Sequence, residues 1–200
     1  MRAIKVYEFN ELSEEAKKSA VEKYIKDNED RFPSYDIENL FQDNMYGDKI
    51  QDLKFYFSLG YNQGDGVSFT GTIGVVDAVN LISNLTLEEY KHVEEIGEFE
   101  LDFQFIHNTW ANRYSHARTI DIISPLDSLP KGYPHLERLI LKIEKQLRCW
   151  RLDKCWELEK VAYAEIEYQD SIECNTEVLL NEDYEYLEDG TRLQVKKYKN

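Results

Sequence analysis

Proline and glycine are scarce in this chain, four and nine among two hundred residues, which excludes a linker-like or low-complexity protein and argues for compact, regular structure. Cysteine is scarcer still. Cys149, Cys155 and Cys174 form an odd set without zinc-site spacing, so no disulfide framework is expected. They read as reduced thiols of a cytosolic protein, small buried hydrophobes in helical segments near Trp150 and Trp156. No run approaches ~18 apolar residues, and the start Met1-Arg-Ala-Ile-Lys has no apolar signal core. The expectation is a soluble protein, neither membrane-spanning nor secreted by an ordinary signal. Basic residues are in deficit, 24 against 39 acidic, for a net charge of −15. Phosphate binding needs clustered Lys and Arg, so direct nucleic-acid or anionic-membrane binding is not expected, outside the short basic tail Arg192–Lys199. Missing too are a Gly-x-Ser-x-Gly nucleophile, a Gly-Lys-Ser/Thr phosphate loop and an EF-hand. No catalytic residue, metal or cofactor is assigned, and a binding protein is favoured over an enzyme.

Aromatic residues are what the chain does have: fourteen tyrosines, nine phenylalanines and three tryptophans, enough to build a core. Two periodicities organise them. Leu53, Phe55, Phe57 and Leu59 alternate, as do Val67, Phe69, Gly71, Ile73 and Val75 after a glycine-rich turn, predicting a β-hairpin over 53–76. A second hairpin is expected with Leu101, Phe103, Phe105 and His107 on one strand and Tyr114, His116, Arg118, Ile120 and Ile122 on the other. Spacings of three and four mark helices. Leu12, Ala16, Ala20 and Tyr24 follow a cap at Asn10 or Ser13, a second helix covers about 36–46, and another covers about 77–90 with a second start at Thr86. Leu136, Leu139, Ile140, Ile143 and Leu147 predict a strong amphipathic helix, continued over 152–168 and again near 171–180. Asp189-Gly190 signals a closing hairpin. The reading is one α+β domain over 1–200, an antiparallel sheet of two or more hairpins packed by N-terminal and C-terminal helices. Its sheet-rich part is 1–124, its helical layer 133–180 and its C-terminal hairpin 181–200.

Three constellations could carry function. The loop from Gly60 to Gly71 presents Gln63 and Asp65; the plain alternative is a bend made by Gly64 and Gly66 in which Asp65 accepts local N–H bonds. His107 and His116 would face each other across the second hairpin or sit one step off register, and with Asp65 or Asp102 would suit zinc or manganese, the Asp65 set as the centre of a metal-dependent hydrolase; the plain alternative is that each histidine hydrogen-bonds within the sheet or at its rim. Glu88, Glu89, Glu94, Glu95, Glu98, Glu100 and Asp102 form an acidic cluster, and Glu157, Glu159, Glu165, Glu167, Asp170 and Glu173 another. Each is either a solvated face or a row of carboxylates imitating duplex phosphates.

The start Lys5-Val-Tyr-Glu-Phe-Asn-Glu-Leu-Ser-Glu-Glu-Ala-Lys, the Gln63-Gly-Asp-Gly-Val-Ser-Phe-Thr-Gly segment, His107 with Arg113-Tyr-Ser-His116 and the ending Asn181-Glu-Asp-Tyr-Glu-Tyr-Leu-Glu-Asp-Gly-Thr-Arg-Leu resemble a family of phage and prophage proteins. The stretch around 74–97 departs from that family's pattern. The resemblance carries no catalytic residue. It implies a phage product in the host cytoplasm, where small acidic proteins inhibit defence nucleases as anti-CRISPR proteins do. The expected function is an acidic binding protein whose partner is a host protein with a basic surface, such as a CRISPR nuclease, contacted through Gln63, Asp65, Glu88, Glu89, Glu94, Glu95, Glu98 and Glu100. The rivals are the Asp65/His107/His116 hydrolase and an antitoxin-like protein that holds a toxin through the Leu12–Tyr24 helix.

Overall fold

The computed structural model describes residues 5–28, 34–82, 85–108 and 114–193. Pro33, most of the Asn108–Arg113 connection and the basic tail beyond residue 193 lie outside these. The protein is α+β, with a four-stranded antiparallel sheet, and it divides into two compact units: Tyr35–Tyr163, and Met1–Ser34 with Ala164–Asn200.

The larger unit is built on alternating large apolar residues. Strands β1 (Gln51–Ser58), β2 (Gly66–Gly74), β3 (Asp102–His107) and β4 (Ile120–Ile123) pair in chain order. The register sets Phe55 against Phe69, Phe57 against Val67, Ile73 against Phe103 and Phe105 against Ile122. Directly paired residues share a face, so these side chains make one aromatic and aliphatic surface. Helix α2 (Ser34–Asn44) lays Phe41 against Phe55 and Phe57, with ring centres 5.3 and 5.4 Å away.

Helices α3 (Val75–Leu81) and α4 (Leu87–Ile96) follow β2. The Val75 N–H donates to the Leu101 carbonyl at 2.8 Å, which ties the start of α3 to the entry of β3. Among the described residues no helix is long and apolar enough to cross a membrane.

Helix α5 (Pro134–Gln169) is one continuous element where the sequence left open a continuation or a restart. Within the larger unit it buries Leu136, Leu139, Ile140, Ile143, Leu147, Cys155, Leu158 and Ala162, the spacing of a single helical stripe. Trp150 stands 6.0 Å from the ring of Phe69 and 6.1 Å from that of Phe105. Arg148 and Arg151 donate to the Ile122 and Ile120 carbonyls. Burying a Leu or Phe side chain contributes about 1.5–3 kcal/mol, whereas an exposed pair such as Arg148–Asp121 contributes about 0.2–1 kcal/mol. The stripe therefore holds the helix and the arginines set its register. Cys155 is buried and its thiol is pushed up to about 12 by desolvation, and Cys174 is buried as well. Cys149 departs from the reading of all three as buried hydrophobes, since it is exposed.

The second hairpin is shorter than its alternation implies. Residues Ala117–Thr119 form a 3₁₀ turn, and both the N–H and the hydroxyl of Thr119 donate to the His116 carbonyl, at 2.9 and 2.7 Å. The Thr119 carbonyl still accepts from the Asn108 N–H at 2.7 Å, but its own N–H is committed to the turn, so Tyr114, His116 and Arg118 lie off the strand. His107 pairs with Ile120 and not with His116.

In the smaller unit, α1 (Glu14–Asp27) is capped by Ser13, whose hydroxyl accepts from the Ala16 N–H at 3.2 Å. Leu12, Ala16, Ala20 and Val21 pack with Phe9, with Leu179 of α6 (Ile172–Asn181) and with Tyr186. Tyr7 and Tyr186 exchange two backbone hydrogen bonds of 2.9 Å. The apolar side of the Leu12–Tyr24 helix is thus covered by the unit's own residues. The Asp189-Gly190 turn closes against α1, with Gly190 at φ +78° and any Cβ there driven into the Ala16 carbonyl oxygen.

Gly190→Ala combines that clash with a left-handed backbone that costs an L-residue about 1–2 kcal/mol. The expected outcome is a fall in thermal midpoint of at least about 2–4 °C, the shift that 1 kcal/mol produces in a chain of this size. Scanning calorimetry checks it, and an unchanged midpoint would remove the turn from α1.

Candidate functional site

The glycine-rich loop between β1 and β2 is stabilised from within. Asp65 accepts from the Ser58 hydroxyl at 2.6 Å and from the Asn62 N–H at 2.7 Å. Those bonds hold its carboxyl below the usual carboxylate range, the Ser58 bond being the larger cause. Gly64 has φ +95°, and a Cβ there would enter the Tyr114 ring. Only glycine lets the loop lie flat against that tyrosine.

The loop forms one wall of an open cleft of about 460 Å³, with Gln63, Asp65, Tyr114, His116, Arg118, Trp156 and Glu159 around it. Trp156 and Tyr114 are each 48% exposed, so the rim offers two aromatic faces to solvent. Tyr61 stacks on Tyr163 at 4.6 Å beside the same loop. Burial raises the Glu159 carboxyl, an effect that the neighbouring His116 opposes. Two carboxylates with proton affinities pushed apart are the raw material of acid–base chemistry. Here, however, Asp65 is engaged in holding its own turn. Gln63 is exposed.

The proposed Asp65/His107/His116 centre does not assemble. His107 lies edge-on to Tyr56 at 4.3 Å, with Ser68 Oγ 3.3 Å from its Nε2, and burial lowers its proton affinity. His116 Nδ1 accepts from the Arg118 N–H at 3.1 Å. Among the described residues the three do not converge as ligands.

The first acidic cluster separates into two kinds of carboxylate. Glu89 closes a capping box with Thr86, each side chain accepting the other's backbone N–H, at 2.7 and 3.2 Å. It also receives Lys142 of α5 at 2.7 Å, and these bonds, the Lys142 one foremost, hold its carboxyl low. Glu95 accepts from His135 Nε2 at 3.0 Å and lies 3.5 Å from His92 Nδ1, and the His135 bond is the main cause of its lowered proton affinity. Glu88, Glu94, Glu98 and Glu100 are exposed and form no ion pair among the described residues. In the second cluster Glu157 pairs with Lys154 at 3.2 Å and Glu159 turns into the cleft.

His92 and His135 have no role in the sequence reading. One signal was present: His92-x-x-Glu95 places an imidazole and a carboxylate on the same face of a helix. Nothing local points to His135, which reaches them only because α4 and α5 lie side by side.

Losing the Thr86 cap should cost about 1 kcal/mol, so Thr86→Ala should lower the urea midpoint measurably while Glu94→Gln leaves it unchanged. Glu89→Gln adds a pH signature. A carboxyl held low in the folded state contributes fully above its unfolded pKa and loses that contribution as pH falls through the folded value. The stability gap between wild type and Glu89→Gln should therefore be constant near neutrality and close on the acid side of the usual carboxylate range. A gap independent of pH would contradict the assigned Lys142 pair. Comparison of the chain with protein-family models, with curated proteins and with solved structures finds no match.

Proposed function

We propose that this chain is a binding protein that docks on a basic partner surface through Glu88, Glu94, Glu98 and Glu100, with Gln63 of the β1–β2 loop as an accessory polar contact. The observation that carries this reading is the division of labour within one acidic segment. Two of its glutamates are engaged in internal bonds, while four stay exposed with no ion pair among the described residues, in a chain of net charge −15. Carboxylates that stabilise nothing inside the fold remain available for a cationic surface, where complementary potential accelerates encounter and selects partners. Together with the likeness of the Gln63–Gly71 segment to phage proteins, the reading becomes a phage-encoded inhibitor that works in the host cytoplasm. It would occupy the nucleic-acid channel of a defence effector, in the manner of an anti-CRISPR protein, with carboxylates standing in for phosphates. No cofactor enters this function. The hydrolase alternative gains no support, since its ligands lie apart.

The test is affinity capture from a bacterial lysate, followed by titration of the retained protein at rising ionic strength. Exposed charges are screened over about 8–10 Å at physiological salt, so affinity should fall steeply between low and moderate salt. The Glu88→Lys, Glu94→Lys, Glu98→Lys, Glu100→Lys combination should abolish capture without lowering the thermal midpoint. Affinity indifferent to salt, or unaffected by the four reversals, would refute the mechanism.

A further inference from the structure

We infer that His92, Glu95 and His135 form a binding site for one zinc ion, joining α4 to the first turn of α5. The inference is independent of the docking surface proposed above. One potential ligand atom from each of the three side chains lies within 4.8 Å of the others. Glu95 Oε2 is 3.0 Å from His135 Nε2 and 3.5 Å from His92 Nδ1. Ligands about 2.0–2.1 Å from a tetrahedral zinc stand roughly 3.3 Å apart, so these two separations already bracket the required value. The imidazole rings, 4.8 Å between centres and inclined at 55°, converge on the carboxylate and do not stack flat. Small side-chain rotations suffice to bring the third pair in, because all three groups are only half-buried.

The surroundings favour a cation there. Lys142, a basic side chain that α5 brings against α4, is held by Glu89 at 2.7 Å and does not bond Glu95. That same pair fixes the alignment of the two helices, so His135 is delivered to Glu95 by the fold and not by chance rotamers. Tyr133 packs 6.1 Å from His135 and is backed by Phe99 at 5.3 Å, which gives the site an aromatic wall. Two imidazoles and one carboxylate suit zinc and disfavour magnesium or calcium, which take oxygen ligands. Three protein ligands leave a fourth position for water, the arrangement of an open zinc site.

The competing explanation is a purely hydrogen-bonded cluster in which Glu95 bridges two imidazoles. Chelator-treated full-length protein, titrated with Co(II) and then Zn(II), separates the two. The expected result is the visible absorption of a tetrahedral Co(II) centre, saturating at one ion per chain, bleached by zinc and accompanied by a rise in thermal midpoint. His92→Ala and His135→Ala should each weaken zinc binding by at least the roughly 10–100-fold that loss of even an outer-shell partner costs. His107→Ala and His116→Ala should bind as wild type does. Circular dichroism confirms that each variant is folded, and the wild-type spectrum decides the matter even if a variant is not. Absence of the Co(II) spectrum and of stoichiometric zinc uptake in the wild type would overturn the site, as would unchanged uptake in the folded His92→Ala and His135→Ala variants.

Discussion

The larger unit depends on one contact above all, the apolar stripe of α5 with Trp150 standing over Phe69 and Phe105. The sheet has only four strands, and a sheet that size needs one covered face to be stable. Each interior layer of α5 replaces water on an aromatic side chain, and the summed burial far exceeds any surface pairing in the unit. Arg151 shows the cost of this arrangement. Its guanidinium is buried and donates to the Ile120 carbonyl, yet its Nε has no partner among the described residues. A buried cation is tolerated because the surrounding stripe outweighs its desolvation, and the bond it makes fixes β4 against the helix.

Much of this was legible in the alternation of Phe55, Phe57, Val67, Phe69, Phe103 and Phe105, since a period of two admits no other regular structure for residues so apolar. The α5 stripe was legible for the same reason at a period of 3.6. What misled was the alternation of Tyr114, His116, Arg118, Ile120 and Ile122, which continues in sequence past the point where the strand begins. The Thr119 hydroxyl, bonded to the His116 carbonyl, ends the ladder there. A local side-chain bond competing with a strand leaves no trace in the hydrophobic pattern. The convergence of His92 and His135 was invisible for a different reason, because it depends on which helices become neighbours.

Charge follows the same logic of competing uses. A net charge of −15 says nothing about which carboxylates are available, and the fold sorts them. Asp65 holds a turn, Asp121 holds Arg148, Glu144 shares that arginine, and Glu89 caps a helix. Their lowered or engaged carboxyls are part of the stability of the unit. Only the residue of this sorting can act on something else.

Helix α4 is where that residue and the internal bonds meet most closely. Val93 and Ile96 are buried and anchor it, so its rotation about its own axis is fixed. Glu89, His92 and Glu95 recur every three residues and form one stripe; Glu89 meets Lys142 and Glu95 meets His135, both on α5. Glu94 lies on the opposite arc, and Glu88, one turn before His92, is the exposed N-terminal end of the stripe itself. Because a helix turns as a rigid rod, the contacts that hold the half-buried stripe to α5 also set the direction in which the exposed carboxylates are presented. A site that tightens the Glu95–His135 contact would therefore stiffen the helix that carries Glu88 and Glu94. The polar stripe that looks like excess charge in the sequence becomes, in the folded unit, the support on which the outward-facing glutamates are carried.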